Sequence, residues 1–177
     1  MHKRGQYCSV LSDQLEVRPA SEHELALVAA RLGEGPFLTE RLARQSEDKG
    51  VLLVAWLRGD PVGCVYVWLE DAEEDGLQEY LPGVPLLNRL VVVPEWRNNL
   101  IGTTLVRAAE QVAKDRGRKQ VALGIALDNN RAERLYRRLG FVEWEHGLLD
   151  TYYVVFKDGN EVREPERCRI LVKDLAD

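Results

Sequence analysis

The stretch from Leu87 to Thr104 constrains the architecture more than any other, because an apolar, strand-like run stops at Pro94 and a helical pattern starts four residues later. A strand that feeds straight into a helix N-terminus points several free backbone N–H groups at one spot, and the helix dipole adds partial positive charge there. Such a junction binds phosphates. Here it is built from Arg97, Asn98, Asn99, Leu100, Ile101, Gly102 and Thr103.

The remainder of the chain reads as a frame for that junction. Leu15, Val17 and Arg18 suggest a short strand, and Ser21 with Glu24 has capping-box spacing ahead of a helix that carries Leu25, Val28, Ala29 and Leu32 and ends at Gly33. A second helix is expected after Pro36, with Phe37, Leu38 and Leu42 inward. Val51–Leu57 and Val62–Leu69 read as a hairpin around Arg58-Gly59-Asp60-Pro61; both strands are apolar on both faces, which predicts a sheet covered on each side. Glu70–Glu79 (EDAEEDGLQE) holds six carboxylates in ten residues and reads as the long loop of the chain. Ile101, Leu105, Ala108 and Val112 then recur at helical spacing up to Arg116-Gly117, and Val121–Leu127 is another apolar strand. Asn129 or Asn130 can cap a short helix with Ala132, Leu135, Tyr136 and Leu139 on one face, and the strands of TYYVVFK and CRILVKDL close the chain around Asp158-Gly159-Asn160. The order predicts an α/β (mixed α+β) fold: a central mixed sheet of about six to seven strands with helices on both faces.

At 177 residues the chain is expected to be a single domain over 1–177, with residues 1–13 a disordered N-terminal extension. No apolar run approaches the ~20 residues that cross a bilayer. The basic N-terminus lacks the apolar core of a secretory signal, so the cytoplasm is the default location. Cys8, Cys64 and Cys168 are an odd number without a C-x-x-C pair, which argues against a disulfide framework or a zinc site; no metal is expected. Net charge is −5, yet residues 97–140 carry ten basic and four acidic side chains. A local basic block suits a polyanionic cofactor, or is simply an arginine-rich helix surface, whereas a general nucleic-acid binder would be basic throughout.

Leu90-Val91-Val92-Val93-Pro94-Glu95-Trp96-Arg97 resembles the L-x-V-x-P-x-x-R entry of the GNAT acyltransferase superfamily, and Arg97 to Thr103 is similar to its Arg/Gln-x-x-Gly-x-Gly/Ala loop, with Leu100 in place of the first motif glycine. A second motif lies in register: Asn129, Ala132, Leu135, Tyr136 and Gly140-Phe141 look like the family's N-x-x-A-x-x-L-Y-x-x-x-G-F signature. The resemblance implies an N-acetyltransferase that moves an acetyl group from acetyl-CoA to an amine by direct attack in a ternary complex. Carried over, Leu90, Val91 and Val92 would pair with the pantetheine arm and polarise the thioester, Arg97, Asn98, Asn99, Leu100, Ile101, Gly102 and Thr103 would hold the pyrophosphate, Asn129 would donate to the cofactor, and Tyr136 would protonate the departing thiolate. The residues by themselves also allow a plain buried strand at Val91 to Val93, a core aromatic at Tyr136, a helix cap at Asn129 and solvated arginines at Arg131, Arg134 and Arg138.

The resemblance places the acidic stretch Glu70 to Glu79 beside the acceptor mouth, where it would attract a cationic amine, with Glu79 as the base; a solvated charged loop is the alternative. Leu100 leaves room for another acyl donor such as an aminoacyl-tRNA, or for an acyl-CoA-binding domain without turnover. If coenzyme A binds, Leu100 is expected to turn its side chain into the core beside Ile101 and Leu105. The β-forming C-terminus leaves an apolar edge, which predicts a homodimer.

Overall fold

The computed structural model describes residues 14–175; the expectations for residues 1–13 and for Cys8 lie outside this range. The strands are β1 (Leu15–Pro19), β2 (Gly50–Leu57), β3 (Asp60–Trp68), β4 (Leu86–Val92), β5 (Gln120–Ala126), β6 (Val142–Lys157) and β7 (Asn160–Asp174). The α-helices are α1 (Leu25–Leu32), α2 (Gly35–Ser46), α3 (Asp75–Tyr80), α4 (Ile101–Asp115) and α5 (Asn130–Arg138). All seven strands form one sheet in the order β1-β2-β3-β4-β5-β7-β6. Among the described residues only the β4–β5 pair at its centre is parallel.

Strand alternation assigns each residue to a layer. Along β2, Val51, Leu53, Ala55 and Leu57 enter the core under α4 and α5, while Leu52, Val54 and Trp56 enter a second core with Val28, Phe37, Leu38 and Leu42 of α1 and α2. This is why the hairpin is apolar on both faces. Its two-residue turn places Arg58 (φ 53°) and Gly59 (φ 86°) in the left-handed region, as a type I′ turn requires.

Two expectations change. Ser21 makes no side-chain bond to a backbone N–H; its hydroxyl donates to the Glu24 carboxylate, which Arg18 also engages, and residues Glu22–Glu24 form a 3₁₀ turn instead of a boxed α-helical start. The acidic stretch is not simply a loop either. Its second half is α3, whose Leu77 joins Ala72, Ala122, Cys168, Ile170 and Val172 in a third core over β5 and β7.

Leu86 touches both the second and the third core, so these lie on one face of the sheet, divided above the β4–β5 seam. The seam itself is open: β4 and β5 share a single registered pair, Leu86 with Ala122. On its other side β4 stays paired to β3, except that the register passes from Cys64–Val91 to Tyr66–Asn88, leaving one extra residue on β4. Arg89 sits in that bulge at φ 56°. Gly63, opposite Val92, permits the close approach, since a Cβ there would stand 2.6 Å from the Val91 carbonyl oxygen.

The β6–β7 hairpin is much longer than TYYVVFK and CRILVKDL suggest, because β6 begins at Val142 and absorbs an irregularity between Glu143 and Leu148 at Gly147 (φ 79°). It arches back over the seam. Phe156 packs on the α1/α2 core, and Arg89 Nη2 donates to the Val154 carbonyl oxygen at 3.0 Å.

Candidate active site

The open seam is the floor of a cleft of about 1240 Å³ walled by α2, α3, the start of α4, α5 and the hairpin arm. Beyond Leu86 the edge of β4 that faces β5 has no strand partner among the described residues, so its polar backbone groups look into this cleft at Leu90, Val91 and Val92. An unpaired strand edge inside a protein offers hydrogen bonds to whatever fills the gap.

At one end lies the strand-to-helix junction. Among the described residues, the backbone N–H groups of Asn98 through Thr103 donate to no protein acceptor; the first amide of α4 to find one is Thr104, bonded to the Leu100 carbonyl at 2.9 Å. Asn98 (φ 64°) and Leu100 (φ 64°) are both left-handed, which curls the loop so that successive N–H groups converge. Arg97 Nε donates to the Val92 carbonyl oxygen at 3.0 Å and ties the loop to the strand end, and the Asn99 amide donates to the Trp96 and Arg97 carbonyls. Asn99 therefore shapes the loop without lining the cleft; Arg97, Asn98, Leu100, Ile101, Gly102 and Thr103 all line it.

Leu100 departs from expectation. It takes up the positive φ that suits a glycine, and its side chain is 55% exposed instead of turning inward beside Ile101 and Leu105. The leucine thus forms part of the cleft rim.

Along the same wall Arg131, Arg134 and Arg138 face the cleft with no ion-pair partner among the described residues. Their neighbour Arg137 points elsewhere and is held by Glu133 and Glu143. Asn129 caps α5, its side-chain oxygen accepting from the Ala132 N–H at 3.1 Å, and it also lines the cleft. Tyr136 likewise serves both readings: its ring is 4% exposed and packs edge-on to Phe141 at 5.4 Å, yet it reaches the cleft, where its hydroxyl has no hydrogen-bond partner among the described residues. Burial raises its pKa well above the ordinary phenol value.

The opposite end is made by residues that sequence reasoning passed over. Phe37 and Arg41 of α2, Trp68 of β3, Arg89 of β4 and Tyr152 to Val154 of the arm line it. The one available signal was Asn88-Arg89 interrupting an apolar strand. Glu73 and Glu74 are present as expected, but Glu73 accepts from the Tyr152 hydroxyl and pairs with Arg163, and Glu74 accepts from the Thr151 hydroxyl. They pin the acidic segment to the arm. Glu79 is exposed on α3 beside Tyr80 and does not line the cleft, because the helix turns it away from the seam. Glu166 of β7 does line it, with the Cys168 thiol at 3.3 Å from its carboxylate. Among the described residues no group of side chains could hold a metal ion, and Cys64 and Cys168 are buried free thiols whose pKa burial pushes up to about 12.

Residues 18–141 match the model of the acetyltransferase (GNAT) family. An uncharacterized N-acetyltransferase of Methanocaldococcus jannaschii is 34% identical over 101 residues, 55% of this chain and 42% of that protein. A thialysine N-epsilon-acetyltransferase of Bos taurus is 31% identical over 134 residues, covering 73% of this chain and 68% of its own length. Several curated relatives are matched over half their length or less. The solved structure of a GNAT family acetyltransferase from Elizabethkingia anophelis with acetyl-CoA bound superimposes with a TM-score of 0.63 at 16% identity, over 92% of this chain and 99% of that one. Since the family model covers residues 18–141, well over half of the sequence, the chain belongs to the GNAT acetyltransferase family.

Proposed function

We propose that the chain transfers an acetyl group from acetyl-CoA to a primary amine by direct attack within the cleft. The observation that carries this reading is that one continuous cavity joins the unpaired N–H groups of Asn98 to Thr103, the open edge of β4 and the Tyr136 hydroxyl. The amides and helix dipole suit a pyrophosphate, and Arg97 with the three α5 arginines suits the remaining phosphate of the nucleotide. Pantetheine is a strand-like chain of amides, and the open edge of β4 gives it backbone partners at Leu90 to Val92. Arg97 and the α5 arginines cluster at the nucleotide end of the cleft in a chain of net charge −5, a footprint for one nucleotide and a poor one for tRNA.

In the reaction the amine nitrogen bonds to the thioester carbonyl carbon, and an N–H of the β4 edge stabilises the negative charge that develops on oxygen. The carbon–sulfur bond then breaks and the thiolate leaves. Tyr136, kept neutral by burial, stands as the hydroxyl that donates to that sulfur as it leaves. The proton lost by nitrogen passes to a carboxylate directly or through water. Glu74 and Glu166 are the cleft carboxylates without a cationic partner among the described residues, and they replace Glu79 in this role.

The test is a mass-shift assay of primary amines with acetyl-CoA and purified protein: a gain of one acetyl group that depends on protein supports transfer, and its absence across a broad amine panel contradicts it. Leu100→Gly removes a side chain from the cleft rim and relieves a left-handed leucine, which costs about 1–2 kcal/mol relative to glycine. Acetyl-CoA affinity is therefore expected to hold or to tighten a few-fold, and a loss of affinity would mean that the leucine itself contacts the cofactor. We also propose a homodimer, since β6 is an outer strand with Val142, Leu148 and Tyr153 exposed. Light scattering at micromolar concentration should give twice the chain mass; a single-chain mass contradicts it.

A further inference from the structure

The acceptor end of the cleft contains two guanidinium groups stacked on one ring: Arg41 Cζ lies 4.9 Å and Arg89 Cζ 5.1 Å from the centroid of Phe37. Arg41 is also within 5.1 Å of the Tyr66 ring and 5.0 Å of the Trp68 ring, and its side chain is 12% exposed. This is an aromatic cage around a cation. Cages of this kind hold a guanidinium flat and fix the direction of its donors.

The donors are under-used. Among the described residues Arg41 Nε is buried with no hydrogen-bond partner, and the one carboxylate close to the side chain is Glu40, 2.9 Å from Nη1 and shared with Arg44. Arg44 in turn also holds Glu70, and Glu161 on the arm adds only its field to Arg41. Arg89 is placed by an unusual backbone: the bulge at φ 56° swings it off the strand, where Nη2 binds the Val154 carbonyl and Nε lies 3.4 Å from Glu34. That leaves its remaining terminal nitrogen unpartnered among the described residues. An unpaired buried donor costs about 1–3 kcal/mol, a cost that Arg41 carries, whereas Arg89, with its side chain 33% exposed, lines the cleft with a free nitrogen.

We propose that Arg41 and Arg89 form a carboxylate subsite for the acceptor, so that the amine substrate is a small amino-acid-like molecule carrying a carboxylate. The proposal rests on the acetyl-transfer reading of the same cleft, with the amine at the seam and the carboxylate against α2. A planar carboxylate matches the fork geometry of a guanidinium, and such charge-assisted pairs are the strong ones. Tyr152 and Val154 of the arm line this end beside the two arginines, with the Val154 carbonyl fixing Arg89. The Glu73 and Glu74 carboxylates do not compete for these arginines, since Tyr152, Arg163 and Thr151 hold them.

The probes are N-acetyl derivatives of amino acids whose amine and carboxylate are two to six carbons apart, each paired with its carboxamide and titrated by calorimetry into protein with and without saturating coenzyme A. At least one acid is expected to bind ten-fold or more tightly than its carboxamide, and Arg41→Gln and Arg89→Gln should each bring the ratio close to one while circular dichroism stays unchanged. Equal affinity in every pair, or a preference that survives both substitutions, overturns the subsite. Coenzyme A binding is read in the same titrations, so failure of the donor site shows as absent coenzyme A heat, whereas failure of the subsite shows as equal acid and carboxamide affinities. If Arg41→Gln fails to fold, Arg89→Gln, whose side chain is the more exposed, decides.

Discussion

Tyr136→Phe is expected to lower kcat by about 10²-fold, with KM for acetyl-CoA and thermal stability nearly unchanged. The substitution keeps the ring that packs edge-on to Phe141 and removes only the hydroxyl, which has no protein partner among the described residues to lose. No new buried unpaired group is created, so folding has little reason to suffer. What disappears is the donor facing the place where thiolate charge develops. The rate must be measured in a single turnover, because slow product release would hide a chemical step of this size. An unchanged single-turnover rate would reduce Tyr136 to a core residue.

Lys173→Met is expected to cost about 3 kcal/mol of stability, a fall in Tm of roughly 6–12 °C. Lys173 Nζ donates to Glu110 Oε1 at 2.6 Å, joining β7 to α4 with side chains only 19% and 10% exposed. Removing the ammonium leaves the Glu110 carboxylate largely buried and unpaired, and that uncompensated charge is the source of the penalty. Adding Glu110→Leu should restore most of the loss, since an apolar pair of similar volume often replaces a buried ion pair without cost. Calorimetric melting of the two variants checks both steps; a harmless Lys173→Met would mean that water reaches the carboxylate.

The parts of this molecule that could be read in advance are those where one residue type has one physical use. Apolar alternation on both faces of β2 and β3 required two covering layers, and the adjacent residues Leu53 and Val54 do enter different cores. Gly33 ends α1 at φ 74° because few other residues accept that conformation at a helix end. The motif residues from Leu90 to Gly102 and from Asn129 to Phe141 could be placed on their elements because strand, loop and helix signals there agree. The acceptor end was hidden for an equally physical reason. It depends on a bulge at Arg89, marked in the sequence only by Asn88-Arg89 interrupting an apolar strand, and on a long β6–β7 arm whose register shifts around Gly147. Charge counting could not show that Glu73 pairs with Arg163 and accepts from the Tyr152 hydroxyl or that Glu74 accepts from the Thr151 hydroxyl, since only the fold brings these partners from residues 151–163.

The central claim is that the seam between β4 and β5, with the free amides at its end, is a coenzyme A site. Isothermal titration of acetyl-CoA into the purified chain tests it most directly. Saturable binding at one acetyl-CoA per chain, weakening as salt is raised because phosphates are held by Arg97 and the α5 arginines, is the predicted result. No binding up to millimolar acetyl-CoA at low salt would contradict it.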